Sequence, residues 1–222
     1  MFLASTLISD KIPPVKTSDP AYRVLDWMNE FKVEQLPVVN SKSLLGIISE
    51  SDVLEIEDLN QPVGDIQLSL PANLSVYSSQ HVFDVLKQME LYKLDVLPVL
   101  DKNSEYLGLI SRDELLQGFA KLFSISEPGG IMVLEMLEKD YSLAQISRII
   151  EAEDAKIIAL FVNRSFDNTQ LNVTIKLNAS ELTRITASLQ RMNYQVIMSF
   201  FDKTQLDDTK DRYDLLMRFL NT

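Results

Sequence analysis

The amino-acid sequence predicts a chain of mixed α/β and α+β class, with two β-α-β-β-α repeats in tandem followed by a βαββαβ domain. Three observations carry this. Leu36-Pro37-Val38-Val39-Asn40 returns 61 residues later as Leu97-Pro98-Val99-Leu100-Asp101. Leu45-Gly46-Ile47-Ile48-Ser49 returns 62 residues later as Leu107-Gly108-Leu109-Ile110-Ser111, so the second copy has one extra residue in the intervening turn. Pro128-Gly129-Gly130 is the sharpest break in the chain, and beyond it the apolar period alternates between strand and helix values.

Each repeat builds in the same order. Ala21, Val24, Leu25 and Met28 fall at i, i+3, i+4 and i+7, one face of a helix, and Val82, Val85, Leu86 and Met89 repeat the pattern. Ser18 or Asp19 is placed to cap the first of these helices, with Pro20 in its first turn, and Ser78 or Ser79 to cap the second. Short apolar strands follow at Leu36–Val39 and Val96–Leu100, then polar turns, then strands Leu44–Ser49 and Tyr106–Ser111. The glycine inside the latter strand leaves room for close backbone approach. A closing helix opens near Asp52 and near Asp113, and a weakly patterned strand begins each unit. One such unit is too small to bury both faces of its sheet, so the two must pack on each other.

In the second half the spacing predicts strand Ile131–Glu138, helix Ser142–Ala152, strands Ala155–Asn163 and Gln170–Leu177, helix Ala179–Met192 and strand Tyr194–Phe201. The alternation of Val173, Ile175 and Leu177 gives one buried face, and the order implies an antiparallel sheet with both helices on one side. The expected boundaries are 1–61, 62–127, 128–203 and a helical tail at 204–222 that carries Leu215, Leu216, Phe219 and Leu220.

Composition narrows the function classes. The net charge of −11 over 222 residues repels phosphate backbones and anionic lipid, which argues against nucleic-acid and membrane partners. No cysteine is present, so disulfides, thiolate metal sites and Cys nucleophiles are excluded. The apolar start at Met1–Ile8 lacks a basic flank and a cleavage site, and no apolar run reaches the roughly 20 residues of a membrane span, so a cytoplasmic location is expected. His81 is the sole histidine, at a polar helix start, and no phosphate-binding Gly-rich loop is found. No nucleophile therefore has a placed base, and the chain is read as a non-enzyme.

The apolar-Pro-Val strand, the Leu-Gly-Ile-Ile strand and then Ser-x-x-Asp opening a helix resemble the cystathionine-β-synthase (CBS) domain. The resemblance covers about residues 5–120, twice in order, as in a tandem CBS pair or Bateman module. The ferredoxin-like second half is similar to an ACT domain, through Leu134-Glu135-Met136, Leu143-Ala144-Gln145-Ile146 and Asp154-Ala155-Lys156-Ile157. It departs from that family where Asp140-Tyr141-Ser142 replaces the usual Gly-bearing, amino-acid-binding turn, which points to packing or dimerisation instead. The whole arrangement resembles CBS–ACT proteins of the acetoin-utilisation type.

The resemblance implies a regulatory protein that binds AMP, ADP or ATP in the cleft of the pair, requires no cofactor, forms a homodimer and acts on an enzyme or transporter. The physical demands are an apolar slot for adenine, a carboxylate for the ribose diol, and hydroxyls, helix N-termini or cations for phosphate. In the first copy Ser49 and Asp52 supply a hydroxyl and a carboxylate, with Ile12, Pro13 and Val38 as candidates for the slot. In the second, Ser111-Arg112-Asp113-Glu114 places Glu114 where the first has Asp52, shifting the carboxylate by more than about 1 Å. Arg112 is the cation beside it. Ser-x-x-Asp is equally a helix cap, and Arg112 equally an ion-pair partner. Two other functions fit the sequence. One is a ligand-free interaction module with an acidic surface. The other is a Mg²⁺ sensor built on Glu50, Asp52, Glu55, Glu57 and Asp58.

Overall fold

A computed structural model describes residues 2–165 and 169–200. The chain divides into two compact units, Met1–Leu122 and Phe123–Thr222. The expected tail at 204–222 lies outside the described residues.

In the first unit, β1 (Val15–Lys16), α1 (Ala21–Phe31), β2 (Gln35–Asn40), β3 (Ser43–Ser49) and α2 (Glu50–Leu54) form one repeat. Next come β4 (Leu70–Pro71), β5 (Val76–Tyr77), α3 (Val82–Tyr92), β6 (Val96–Leu100), β7 (Tyr106–Ser111) and α4 (Arg112–Leu122). The repeat visible in the sequence is thus a repeat of structure. Lys32 and Lys93 close α1 and α3 in the same left-handed conformation, with φ of 56° and 53°. The caps differ from expectation. α1 starts after Pro20 with no side-chain cap, because the Asp19 carboxylate instead accepts from the Lys16 amide at 2.8 Å and from Arg23 at 3.0 Å. α3 is capped by His81, whose Nδ1 accepts from the Phe83 amide at 3.2 Å.

The two repeats exchange their leading segments. β1 pairs parallel with β2 and β2 antiparallel with β3, but the next strand on β3 is β4, which precedes the second repeat. Reciprocally, Ser9, which precedes the first repeat, bridges antiparallel to Leu109 on β7 of the second. The extreme N-terminal segment continues along the second repeat, where the Ala4 amide donates to the Gln80 carbonyl at 2.8 Å and the Ser5 amide to Ser78 at 3.0 Å. Gly46 permits one of these approaches. A Cβ there would lie 2.8 Å from the Leu70 carbonyl oxygen and from a methyl of Leu68. Burial follows the exchange, for Ile47 packs into the second repeat's core with Val85, Leu97 and Ile110. Val96 and Leu109 pack into the first, with Val24, Leu36 and Ile48.

The second unit contains β8 (Ile131–Met136), α5 (Leu143–Glu151), β9 (Ile157–Arg164), β10 (Leu171–Leu177), α6 (Thr183–Arg191) and β11 (Gln195–Phe200). Its sheet is antiparallel, in the order β11-β8-β10-β9. Met132, Leu134, Val173 and Ile175 face Ile146, Ile150, Ile185 and Leu189 of the two helices. The expected βαββαβ order is present. α6 begins at Thr183 and not at Ala179, because the residues before it are engaged elsewhere. The Ala179 carbonyl accepts from Gly130 at 2.8 Å, and the Asn178 amide and side chain pair with Lys156.

Candidate functional site

The end of β3 and the end of β7 deliver the same local construction, a serine that leads into a helix whose third residue is a carboxylate. At the first, Ser49 Oγ accepts from the Asp52 amide at 3.2 Å while Asp52 Oδ2 accepts from the Ser49 amide at 2.9 Å, a reciprocal capping box. Asp52 is only 9% exposed. Ser69, on the exchanged segment, donates to the same Oδ2 through its hydroxyl at 3.0 Å and its amide at 3.3 Å. These bonds converge on one oxygen, and none of them engages Oδ1.

At the second helix start both carboxylate oxygens are engaged. Glu114 Oε2 accepts from the Ser111 hydroxyl, and Oε1 accepts from Lys11 Nζ at 2.9 Å. The longer Glu side chain reaches a lysine that arrives on the segment exchanged from the other repeat. Burial acts to raise the Glu114 carboxyl, but hydrogen bonds from Ser111, Lys11 and Ser9 and the Lys11 charge outweigh it. They hold the group below the usual carboxylate range. The bond to Glu114 holds the Lys11 ammonium above its ordinary value.

Beside this second start lies a cleft of about 420 Å³, lined by Lys11, Ile12, Val33, Asp95, Ser111, Arg112 and Glu114, with residues 30–32 at the end of α1. Arg112 lines the cleft but is already engaged. Its guanidinium binds Asp95 Oδ1 at 2.7 Å and the carbonyls of Leu94 at 3.1 Å and Lys93 at 3.4 Å. Asp95, nearly buried, also accepts from the Glu34 amide at 2.7 Å. Arg112 therefore ties the end of α3 to the start of α4.

Of the residues singled out in the sequence, the fold gathers Ile12, Ser111, Arg112 and Glu114 around one cleft. Ser49 and Asp52 stand together at the other helix start, and Ile12 belongs with the second pair and not with them. Val38 is 1% exposed within the first repeat's core, and Pro13 is half-buried just before β1. Ser9, Lys11, Ser69 and Asp95 were not read from the sequence. Their partners lie on other elements, and no local period marks them. The acidic run from Glu50 to Asp58 does not converge, since Asp52 turns into its cap and no cluster of three His, Asp or Glu able to hold a metal ion occurs among the described residues. No helix is long and apolar enough to cross a membrane among those residues.

The second unit has its own cleft of about 610 Å³ at the Asp140-Tyr141-Ser142 turn, with Glu135, Gln145 and Tyr194 on its walls. Ser142 caps α5 by accepting from the Gln145 amide at 3.3 Å, and the Tyr194 hydroxyl donates to Gln145 Oε1 at 3.1 Å.

Comparison with known proteins places these features in a family. The model of the CBS domain matches residues 4–58 and again 63–121. Inosine-5'-monophosphate dehydrogenase of Helicobacter pylori is 31% identical over 84 residues, which are 37% of this chain and 17% of that protein. The enzyme of the same name from Aquifex aeolicus is 25% identical over 111 residues, 46% of this chain and 21% of that one. The chain thus matches about a fifth of the length of these curated relatives. Among solved structures, a CBS domain pair/ACT domain protein from Thermotoga maritima is 20% identical, with a TM-score of 0.49 over 55% of this chain and 98% of that one.

Proposed function

The chain belongs to the CBS-domain family, with two copies in tandem, and on that premise we propose that it is a regulatory sensor of adenine nucleotides that binds its ligand in the cleft of the pair. One observation carries the reading. A hydroxyl and a carboxylate, Ser111 and Glu114, stand at the start of an eleven-residue helix beside an open cleft whose wall includes Ile12 and Val33. Adenine lies against Ile12 and Val33, the ribose diol donates to Glu114, and phosphate meets the amide end of α4. Ser49 and Asp52, with Oδ1 outside the capping box, form the second ribose acceptor. Ligand binding favours one packing of the two repeats over another and so biases whatever the protein contacts.

Assembly belongs to the same reading. An apolar groove of about 560 Å³ runs between α3 and α4, lined by Leu86, Met89, Leu115, Leu116 and Phe119, and Leu116 is 71% exposed. A second copy covers this groove, and the βαββαβ unit, as an ACT-like domain, serves packing or dimerisation. The regulated partner is a separate enzyme or transporter in the cytoplasm.

Thermal unfolding against AMP, ADP, ATP and S-adenosylmethionine, with and without Mg²⁺, tests the proposal in wild type, Asp52→Ala and Glu114→Ala. A ligand at 100 times its dissociation constant raises stability by roughly 2.7 kcal/mol. A nucleotide-dependent rise that one of the variants abolishes supports the sensor and locates its site. No shift with any nucleotide at millimolar concentration sinks it and leaves a ligand-free interaction module.

A further inference from the structure

The cleft beside α4 has three cations on its rim, Lys11, Lys32 and Arg112, and they are not equivalent. Arg112, adjacent in sequence to Ser111, is engaged by the Asp95 carboxylate and by two carbonyls at the end of α3. Pulling it away would leave Asp95 charged, nearly buried and without its cation, which is costly. Lys32 sits at the left-handed C-terminal cap of α1, the carbonyl end of a helix, where the dipole disfavours an anion. Lys11 is different on both counts. Its partner Glu114 faces the cleft, where a ribose diol can replace the ammonium, so Lys11 can leave without stranding a carboxylate. It also stands over the first turn of α4, where amides and dipole favour an anion.

We infer that Lys11, not Arg112, is the phosphate-recognising residue of this cleft, and that it reaches the phosphate by leaving Glu114. The inference rests on the nucleotide reading and adds a charge exchange to it. In the empty cleft Lys11 and Glu114 neutralise one another. When a nucleotide enters, the two ribose hydroxyls become donors to the Glu114 carboxylate and the Lys11 ammonium transfers to the phosphate, so neither charge is left unpaired. Adenosine offers only half of this exchange. It takes Glu114 from Lys11 but gives the ammonium no anion in return. The cleft therefore discriminates a nucleotide from its nucleoside through a residue that the opposite repeat supplies.

Calorimetric titration of the full chain with AMP and with adenosine tests this in wild type, Lys11→Met, Lys11→Arg and Lys32→Met. Wild type is expected to bind AMP roughly tenfold or more tighter than adenosine, the magnitude of one charge-assisted contact. Lys11→Met should reduce that ratio to about unity, weakening AMP by the lost phosphate contact and sparing adenosine the displacement of Lys11 from Glu114; Lys11→Arg should largely restore it, and Lys32→Met should leave it unchanged. A ratio that survives Lys11→Met, or one that collapses with Lys32→Met, overturns the inference while leaving nucleotide binding intact. Absence of any binding by wild type overturns the nucleotide reading and this inference with it. Lys11 is exposed, so its variants retain the fold, which the circular dichroism spectrum checks.

Discussion

Glu114 and Asp52 occupy matching positions yet spend their charge differently, and each difference has a measurable consequence. Glu114 has a native value below the ordinary carboxylate value near 4.5. Its contribution to stability is therefore complete above that value and fades as the pH falls through the lower native one. Urea denaturation of wild type and Glu114→Gln should show a stability gap that is constant above about pH 5 and closes in stronger acid. A gap independent of pH would show that the carboxylate's charge contributes nothing. Asp52→Ala removes a capping box and both bonds from Ser69, and should cost about 1–2 kcal/mol even with no ligand present. Asp52→Asn, which keeps an acceptor, should cost less. The two carboxylates were legible in the sequence because Ser-x-x-Asp and Ser-x-x-Glu are local patterns. Their partners were not. Lys11 reaches Glu114 across more than a hundred residues of sequence, and Arg112 was open to either a phosphate or an ion-pair reading until Asp95 was seen beside it.

At the scale of elements, legibility followed length. α1 and α3 contain the apolar faces read for them, and β6, β7 and β10 lie within a residue of their expected bounds. β1, β4 and β5 have two residues each, and two residues define no period. Their existence is decided by the partner strand. α2 is the other departure, with five residues against eleven in α4, so only the second repeat presents a long helix pair to solvent. The exchanged strand β4 depends on one small residue of β3. Gly46→Ala would drive a methyl into the Leu70 carbonyl, which cannot retreat without breaking the β3–β4 pairing at Gly46–Pro71 and Ile47–Leu70. A loss of about 1–3 kcal/mol in chemical denaturation is expected. Unchanged stability would mean that β4 is not held against β3 in solution.

At the scale of the molecule, the repeats are duplicated in sequence but not independent in folding. Their internal likeness was legible at an offset of 61 to 62 residues, whereas the exchange was not, since the pattern of a leading segment does not say which sheet receives it. A fragment of residues 1–122 should fold, because it is one of the two compact units, whereas residues 1–61 should not, because they lack Val96 and Leu109 from their core and β4 from their sheet. Far-ultraviolet circular dichroism of both fragments checks this. Ile47→Ala should cost about 2–5 kcal/mol and, measured by hydrogen exchange, loosen the second repeat, into whose core Ile47 packs. The exchange also sets a timetable for biosynthesis. Ser9 pairs with Leu109, and the segment before it lies along residues 78–82. This segment therefore leaves the ribosome about a hundred residues before the strand that receives it. At roughly 5–20 residues per second, the opening segment, apolar at Phe2, Leu3, Leu7 and Ile8, waits on the order of 5–20 seconds for the strand that receives it. During that interval a chaperone or a neighbouring nascent chain of the same kind competes for it, and the latter outcome is a dimer whose repeats are traded between molecules.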